Sequence, residues 1–213
     1  MKKAIIFDVD GTLWDAVPVI TDAWNESLKQ FPDITKQLKL SDVEPMMGRT
    51  MDEYAGLFTQ VGEERAKEIV EICCREEIDY IKSHPGVLYP GIRSVIEQLH
   101  EEFSLYIVSN CQEGYIEALL ESCELQPYFE DFENYGRTGK QKGRNIQILM
   151  ERCDIDKAIY IGDTIKDLEA SREAGIPFIY AAYGMGEVEH QRFTVNCPAE
   201  IPEVIKKTKY FAL

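Results

Sequence analysis

Two aspartates follow the first apolar run of the chain. The stretch "AIIFDVDGTLWD", residues 4 to 15, places Asp8 and Asp10 two positions apart, just before Gly11 and Thr12. One carboxylate could attack phosphorus, and a second acid two residues later could protonate the leaving oxygen and then activate water. The spacing therefore indicates nucleophilic and acid–base chemistry at the end of this run.

Two more polar clusters follow apolar runs later in the chain. Ser109 and Asn110 end one run, and Asp163 and Asp167 follow another. Ligands of open parallel sheets bind outside the carboxyl ends of the strands, so we expect the three clusters to converge there. The hydroxyl and amide groups of Thr12, Ser109 and Asn110 would then hold the oxygens of a phosphoryl group.

Three carboxylates at one point repel each other unless a cation lies between them. Aspartate oxygens suit Mg²⁺, which keeps several waters and takes only one or two protein carboxylates. A calcium loop counted from Asp8 would need Gly and Glu where this chain has Leu13 and Val19. The sequence therefore predicts a magnesium site that binds a phosphate oxygen.

Four short apolar runs predict buried parallel strands, and amphipathic segments of helical length separate the last three of them. This pattern predicts an α/β fold, a doubly wound parallel sheet. The strand runs are Ala4 to Phe7, Leu105 to Val108, Ala158 to Ile161 and Phe178 to Ala182, and the helical segments include Glu113 to Ser122 and Arg144 to Arg152.

The first two runs are about ninety-five residues apart, which is far more than one crossover helix needs. The intervening segment has helical spacing of apolar residues over 17–30 and 61–81, and "HPGVLYPG" breaks the pattern afterwards. We therefore expect an all-helical cap at 15–85, inserted after the first strand, and an α/β core formed by 1–14 and 86–213.

The charge of the chain limits its partners. Twenty-three basic and thirty-eight acidic residues give a net charge of −15, which would repel a nucleic-acid backbone or an anionic membrane surface. No stretch approaches the ~20 apolar residues of a membrane span, and no signal-peptide core follows the N-terminus. The six cysteines show no metal-ligand spacing and are predicted to be free thiols. We expect a cytoplasmic protein, a monomer or weak homodimer, whose partner is a small phosphorylated metabolite.

At these motifs the sequence resembles the haloacid dehalogenase-like hydrolase superfamily, in particular its phosphoglycolate phosphatase-like branch with a helical cap. The first polar cluster is similar to the first motif of that family, Ser109-Asn110 to its second and the cluster of Asp163 and Asp167 to its fourth. The resemblance implies that Asp8 is the nucleophile and Asp10 the general acid and base. It also implies that Asp8, the backbone carbonyl of Asp10 and Asp163 hold Mg²⁺, while Asp167 is a ligand through water or an orienting acid.

The third motif of the family is a lysine ahead of a helix. The stretch "GRTGKQKGRNIQIL" offers Lys140 and Lys142. Because Lys142 stands at the start of the predicted helix, we expect Lys142 to contact both the nucleophile and the phosphoryl group.

The resemblance implies a Mg²⁺-dependent phosphatase that hydrolyses a small phosphate monoester through an aspartyl-phosphate. A phosphomutase of β-phosphoglucomutase type would share the motifs and return the phosphoryl group. From a different class, a phospho-acceptor domain or a non-catalytic binding member of the fold remains an alternative.

Within the cap segment, "PMMGRTMDEY" interrupts the helical pattern at Gly48 and places Arg49 in a loop or at a helix start. A guanidinium there could bind an anionic group of the substrate. The alternative is a surface arginine paired with Asp52 or Glu53.

Overall fold

The computed structural model describes residues 1–212, and a six-stranded parallel sheet lies at its centre. The strands, in chain order, are β1 Lys3–Phe7, β2 Trp14–Asp15, β3 Val87–Leu88, β4 Ser104–Ser109, β5 Phe129–Asn134, β6 Lys157–Gly162, β7 Phe178–Ala181 and β8 Thr194–Val195. The order across the sheet is β5-β4-β1-β6-β7-β8, while β2 and β3 form a separate antiparallel pair. The first strand therefore lies inside the sheet, between β4 and β6.

Helices cover both faces of this sheet. The α-helices are α1 Val17–Leu28, α2 Leu40–Val43, α3 Met51–Tyr54, α4 Glu63–Ser83, α5 Ile92–His100, α6 Tyr115–Ser122, α7 Tyr135–Thr138, α8 Lys142–Arg152, α9 Ile165–Ala174 and α10 Ile201–Thr208. Short 3₁₀ segments lie at Glu44–Met46, Ala55–Val61, Gln126–Tyr128, Pro198–Glu200 and Tyr210–Ala212.

Alternate residues of β1 pack into two different apolar layers. Ile5 and Phe7 belong to the layer that contains residues of α5, α6 and α10, whereas Ala4 and Ile6 belong to the layer with residues of α8 and α9. A strand buried on both faces needs apolar residues at every position, which explains the continuous run of the sequence. The predicted doubly wound α/β fold is confirmed, and so are the four predicted strands to within one or two residues at each end.

Two strands of the sheet were not predicted. Strand β5 has the sequence FEDFEN, and β8 is only two residues long. Both lie at the edges of the sheet, where one side of the strand faces solvent and polar side chains are tolerated. An edge strand therefore lacks the continuous apolar run by which the inner strands were recognised.

Between β2 and β3 the chain forms only helical elements and loops, and α1 packs against α4. We call residues 15–85 the helical insert. Trp14 pairs with Leu88, and Asp15 with Val87, where the chain enters and leaves this segment. The division of the chain into a core and a cap domain stays a prediction.

None of the helices in the described part, residues 1–212, is long and apolar enough to cross a bilayer.

Candidate active site

The carboxyl ends of β1 and β6 bring three aspartates together. Asp8 directly follows β1, Asp163 directly follows β6, and Asp167 lies in the first turn of α9. One carboxylate oxygen of each lies within 4.8 Å of the other two, and all three side chains are buried. The structure thus brings Asp8 together with two acids that lie more than 150 positions away in the sequence.

Lys142, the first residue of α8, reaches into this cluster. Its Nζ lies 2.9 Å from Asp8 Oδ1 and 2.6 Å from Asp167 Oδ1, and the side chain is buried. Burial alone would lower the pKa of this ammonium, but the carboxylates of Asp167 and Asp8 raise the pKa above its usual value, so the group stays charged. Lys140 is exposed. Of the two lysines that the sequence offered, Lys142 is the one that contacts Asp8.

Asp167 is held by the protein at both of its oxygens. Its Oδ2 accepts hydrogen bonds from the backbone N and the Oγ1 of Thr164, at 2.9 and 2.6 Å, which caps α9. Its Oδ1 accepts from Lys142 Nζ. This arrangement favours an orienting acid that fixes Lys142 over a direct metal ligand.

Asp8 and Asp163 each present an oxygen without a hydrogen-bond partner within residues 1–212, Oδ2 of Asp8 and Oδ1 of Asp163. Burial and the charge of Asp167 raise the pKa of both carboxyls well above the usual range. A divalent cation between them would supply the missing partner and offset the repulsion, so these residues fit Mg²⁺.

Asp10 is not part of the cluster of three acids, and its carboxylate has partners of its own. Its Oδ1 accepts hydrogen bonds from Tyr115 Oη at 2.7 Å and from Trp14 Nε1 at 3.0 Å. Burial raises its pKa to about 6, although both hydrogen bonds lower it. A carboxyl that titrates near neutral pH is suited to proton transfer in both directions.

The polar groups expected around a phosphoryl group lie at the same edge of the sheet. Thr12, Ser109 and Asn110 are all buried, and Thr12 Oγ1 and Asn110 Oδ1 have no hydrogen-bond partner within residues 1–212. Asn110 Nδ2 donates to the backbone oxygen of Gly48, at 3.0 Å. The Asn110 amide therefore touches the helical insert in this structure.

Sequence reasoning missed the loop that follows β7. The backbone N–H groups of Met185 and Gly186 donate to Asp163 Oδ2 at 2.9 and 3.0 Å, which orients this carboxylate. A Cβ atom on Gly184 would lie 2.2 Å from the backbone oxygen of Gly11, and one on Gly11 would lie 2.1 Å from Asp163 Oδ2. Both contacts are too close for any side chain. The pair of glycines in "YGMGE", directly after a predicted strand, was the available signal.

Arg49 is exposed, and its side chain has no hydrogen-bond or ion-pair partner within the described residues. The two acids proposed to pair with it bind the core: Asp52 accepts from Tyr135 Oη at 2.6 Å, and Glu53 from Lys166 Nζ at 2.9 Å. The structure therefore does not contain the surface pair that was the alternative for Arg49.

A parallel α/β sheet with buried acids and a lysine at its carboxyl edge is typical of hydrolases that act on phosphate esters. The chain belongs to the haloacid dehalogenase-like hydrolase family, whose model matches residues 5–181. This membership confirms the resemblance found in the motifs.

Known relatives cover nearly the whole chain. It is 27% identical over 218 residues to the phosphoglycolate phosphatase of Nitrosospira multiformis. The matched region covers 97% of this chain and 94% of that protein. It is 29% identical over 201 residues to the phosphoglycolate phosphatase of Rhodospirillum rubrum, covering 86% and 81%. A haloacid dehalogenase-like hydrolase from Streptococcus pneumoniae superposes with a TM-score of 0.81 at 22% identity, covering 96% of this chain and 98% of that one. These likenesses confirm the phosphoglycolate phosphatase-like branch and the fold.

Proposed function

We propose that this protein is a Mg²⁺-dependent phosphatase that hydrolyses a small phosphate monoester through an aspartyl-phosphate on Asp8. The observation that carries the proposal is the buried Asp8 carboxylate, which has Lys142 on one oxygen and an open second oxygen beside Asp163. The two relatives named phosphoglycolate phosphatase support a small phosphorylated substrate.

In the first step, an oxygen of Asp8 attacks phosphorus and the ester bond to the alcohol breaks. Asp10 gives its proton to the departing oxygen, so the alcohol leaves as a neutral molecule. Lys142 compensates the charge on Asp8 and on the equatorial oxygens, and Thr12, Ser109 and Asn110 supply hydroxyl and amide groups. Asp8 and Asp163, with the backbone carbonyl of Asp10, would hold Mg²⁺, which supplies further neutralisation of phosphoryl charge when bound.

In the second step, Asp10 takes a proton from water, and the hydroxide formed attacks phosphorus. The bond between phosphorus and the Asp8 oxygen breaks, so inorganic phosphate is released and the Asp8 carboxylate is restored. Because the site is buried, few water molecules other than the one activated by Asp10 can reach phosphorus.

A phosphomutase would share the first step and then return the phosphoryl group to a substrate hydroxyl. The relatives favour hydrolysis. Release of one inorganic phosphate per ester consumed supports the phosphatase, whereas an isomeric ester formed without phosphate release would identify a mutase. An inert protein that binds phosphate without turnover would identify a binding member of the fold.

We further propose that the protein is cytoplasmic, and a monomer or weak homodimer. The net charge of −15 supports a partner that is a small metabolite and not a nucleic acid or a membrane.

The metal requirement is a first prediction. Hydrolysis of p-nitrophenyl phosphate should fall by about 10²-fold or more in excess chelator, because Lewis-acid stabilisation is worth several kcal/mol, and should return when Mg²⁺ is added back. Phosphate release measured across a chelator titration checks this. Unchanged turnover in excess chelator would remove the metal from the mechanism.

Metal binding should also depend on pH. In the native protein the raised pKa values of Asp8 and Asp163 let these groups keep protons that the unfolded chain has lost above pH ~4. The metal-free protein should therefore lose stability as pH rises from 5 to 8. Mg²⁺ competes with those protons, so it should raise the Tm more at pH 8 than at pH 5.

A third prediction concerns Arg49, whose proposed contact with an anionic substrate group stays a hypothesis. If the contact forms, Arg49→Ala should raise KM for phosphoglycolate about tenfold and leave KM nearly unchanged for propyl phosphate, whose alkyl part is uncharged. Steady-state kinetics with both esters measure this. Equal effects on the two esters, or no effect, would show that Arg49 is a surface residue that does not bind the substrate.

A further inference from the structure

A small cavity lies between the helical insert and Asp10. Its volume of about 20 Å³ is enough for roughly one water-sized group. Besides Asp10, the polar and aromatic residues that line the cavity are Trp24, Tyr54, Glu77, Gln112 and Tyr115, and the remaining lining residues are apolar. Under the proposed function Asp10 protonates the leaving oxygen, so the alcohol part of the substrate lies beside this cavity, and a terminal group about the size of one water could enter it.

Glu77 of α4 is a buried carboxyl that the proposed mechanism does not use. Its Oε1 accepts a hydrogen bond from Gln112 Nε2 at 2.8 Å, and its Oε2 accepts one from Trp24 Nε1. Both donors are neutral. Within residues 1–212, no lysine, arginine or histidine lines the cavity.

A buried carboxylate without a cation is costly. Burial, with a smaller contribution from the nearby charge of Asp10, raises the pKa of Glu77 to about 8, although the hydrogen bonds from Trp24 and Gln112 lower it. A cation that entered the cavity would supply the missing opposite charge.

The rings around Glu77 favour a cation in the same place. Trp24 and Tyr54 meet edge to face with centroids 5.7 Å apart, and Tyr115 borders the cavity beside Asp10. Aromatic faces attract ammonium groups, and a carboxylate next to them adds a charge-assisted hydrogen bond. An anionic leaving group would instead meet the carboxyls of both Asp10 and Glu77.

We propose that Glu77 selects phosphate monoesters whose alcohol part carries an ammonium group, and disfavours those that carry a carboxylate. This inference rests on the proposed phosphatase function and names its substrate class. An ammonium head is about as large as the water that the cavity accommodates, and it would donate to Glu77 while the phosphoryl group lies at Asp8. Arg49 does not line the cavity. The hypothesis of an anion bound by Arg49 predicts the opposite substrate order.

Three esters of nearly equal size test the inference in the Mg²⁺-loaded protein. 2-Aminoethyl phosphate carries an ammonium, propyl phosphate replaces the nitrogen with carbon, and phosphoglycolate carries a carboxylate. We expect kcat/KM to be at least about tenfold higher for 2-aminoethyl phosphate than for propyl phosphate, and lowest for phosphoglycolate.

The matched variants are Glu77→Gln and Asp79→Asn. Glu77→Gln keeps the shape, and the Gln112 amide can turn to keep its hydrogen bond, but the charge is lost. Asp79→Asn removes one negative charge from an exposed position on the same helix. In Glu77→Gln the preference for 2-aminoethyl over propyl phosphate should fall at least about tenfold, through KM more than kcat, and Asp79→Asn should keep the preference of the unmodified protein.

Hydrolysis of p-nitrophenyl phosphate distinguishes a failure of the proposed role of Glu77 from a failure of the proposed phosphatase function. If that ester is cleaved but the unmodified protein prefers phosphoglycolate or shows no preference, the role of Glu77 is wrong and the phosphatase function stands. A preference that survives Glu77→Gln, in a variant whose Tm shows that it is folded, also overturns the role. If none of the four esters is cleaved, the phosphatase function fails and this inference fails with it.

Discussion

Replacing Asp8 with asparagine should abolish phosphoryl transfer, with a loss of turnover of about 10⁴-fold or more, as for other enzymes that lose their nucleophile. Asparagine keeps the size of the side chain but has no charged oxygen to attack phosphorus. Rapid quenching with ³²P-labelled substrate should trap a phosphoryl group on the unmodified protein and none on Asp8→Asn. The folded state should survive, because the change removes a charge from a crowded cluster of buried acids.

Asp10→Asn is the matched control for that experiment, since it makes the same chemical change two residues away. Only proton transfer is lost, so a substrate with a good leaving group, such as p-nitrophenyl phosphate, should still label the protein slowly. A stable adduct mapped to any residue other than Asp8 would contradict the assignment of the nucleophile.

Lys142→Ala should lower turnover by about 10²- to 10³-fold, because one preorganised charged donor is lost at the phosphoryl group. The same change leaves Asp8 and Asp167 buried without their cation, which should cost about 3–5 kcal/mol in the free energy of unfolding. Kinetics and urea denaturation measure the two effects, and added Mg²⁺ should recover part of the stability.

Lys140→Ala is the control for the lysine experiment. Lys140 is exposed and lies two residues away, so turnover and the free energy of unfolding should change little. The reverse pattern, with an inactive Lys140→Ala and an active Lys142→Ala, would show that the third motif had been placed two residues too late.

The inner sheet could be predicted from the sequence because β1, β4, β6 and β7 are buried on both faces and so had to be continuously apolar. The same geometry made the positions of Asp8 and Asp163 predictable, since each directly follows such a strand. Strand β5 was not predicted, because an edge strand can carry acids. Its pairing with β4 is a long-range contact that leaves no local pattern in the sequence.

Some of the site depends on contacts that no local pattern encodes. Met185 and Gly186 contact Asp163 through their backbone N–H groups, which every residue type except proline possesses. The sequence predicted a helix over 61–81 but did not single out Glu77, and only the tertiary structure shows that Gln112, from a different segment, donates to its carboxyl. Sequence reasoning therefore found the side chains that are proposed to do chemistry more readily than the groups that orient them.

Two of the polar contacts that join the helical insert to the core are exposed. Lys166 pairs with Glu53 and Tyr135 with Asp52, each at a surface where such interactions contribute ~1 kcal/mol or less and are screened by salt. Added salt should therefore weaken these two contacts and make it easier for this part of the insert to separate from the core. When release of the alcohol or of phosphate limits the cycle, added salt should speed turnover even though it weakens attraction for the substrate. Natural variants at these four surface positions would then change the turnover rate without altering any group that contacts the ester.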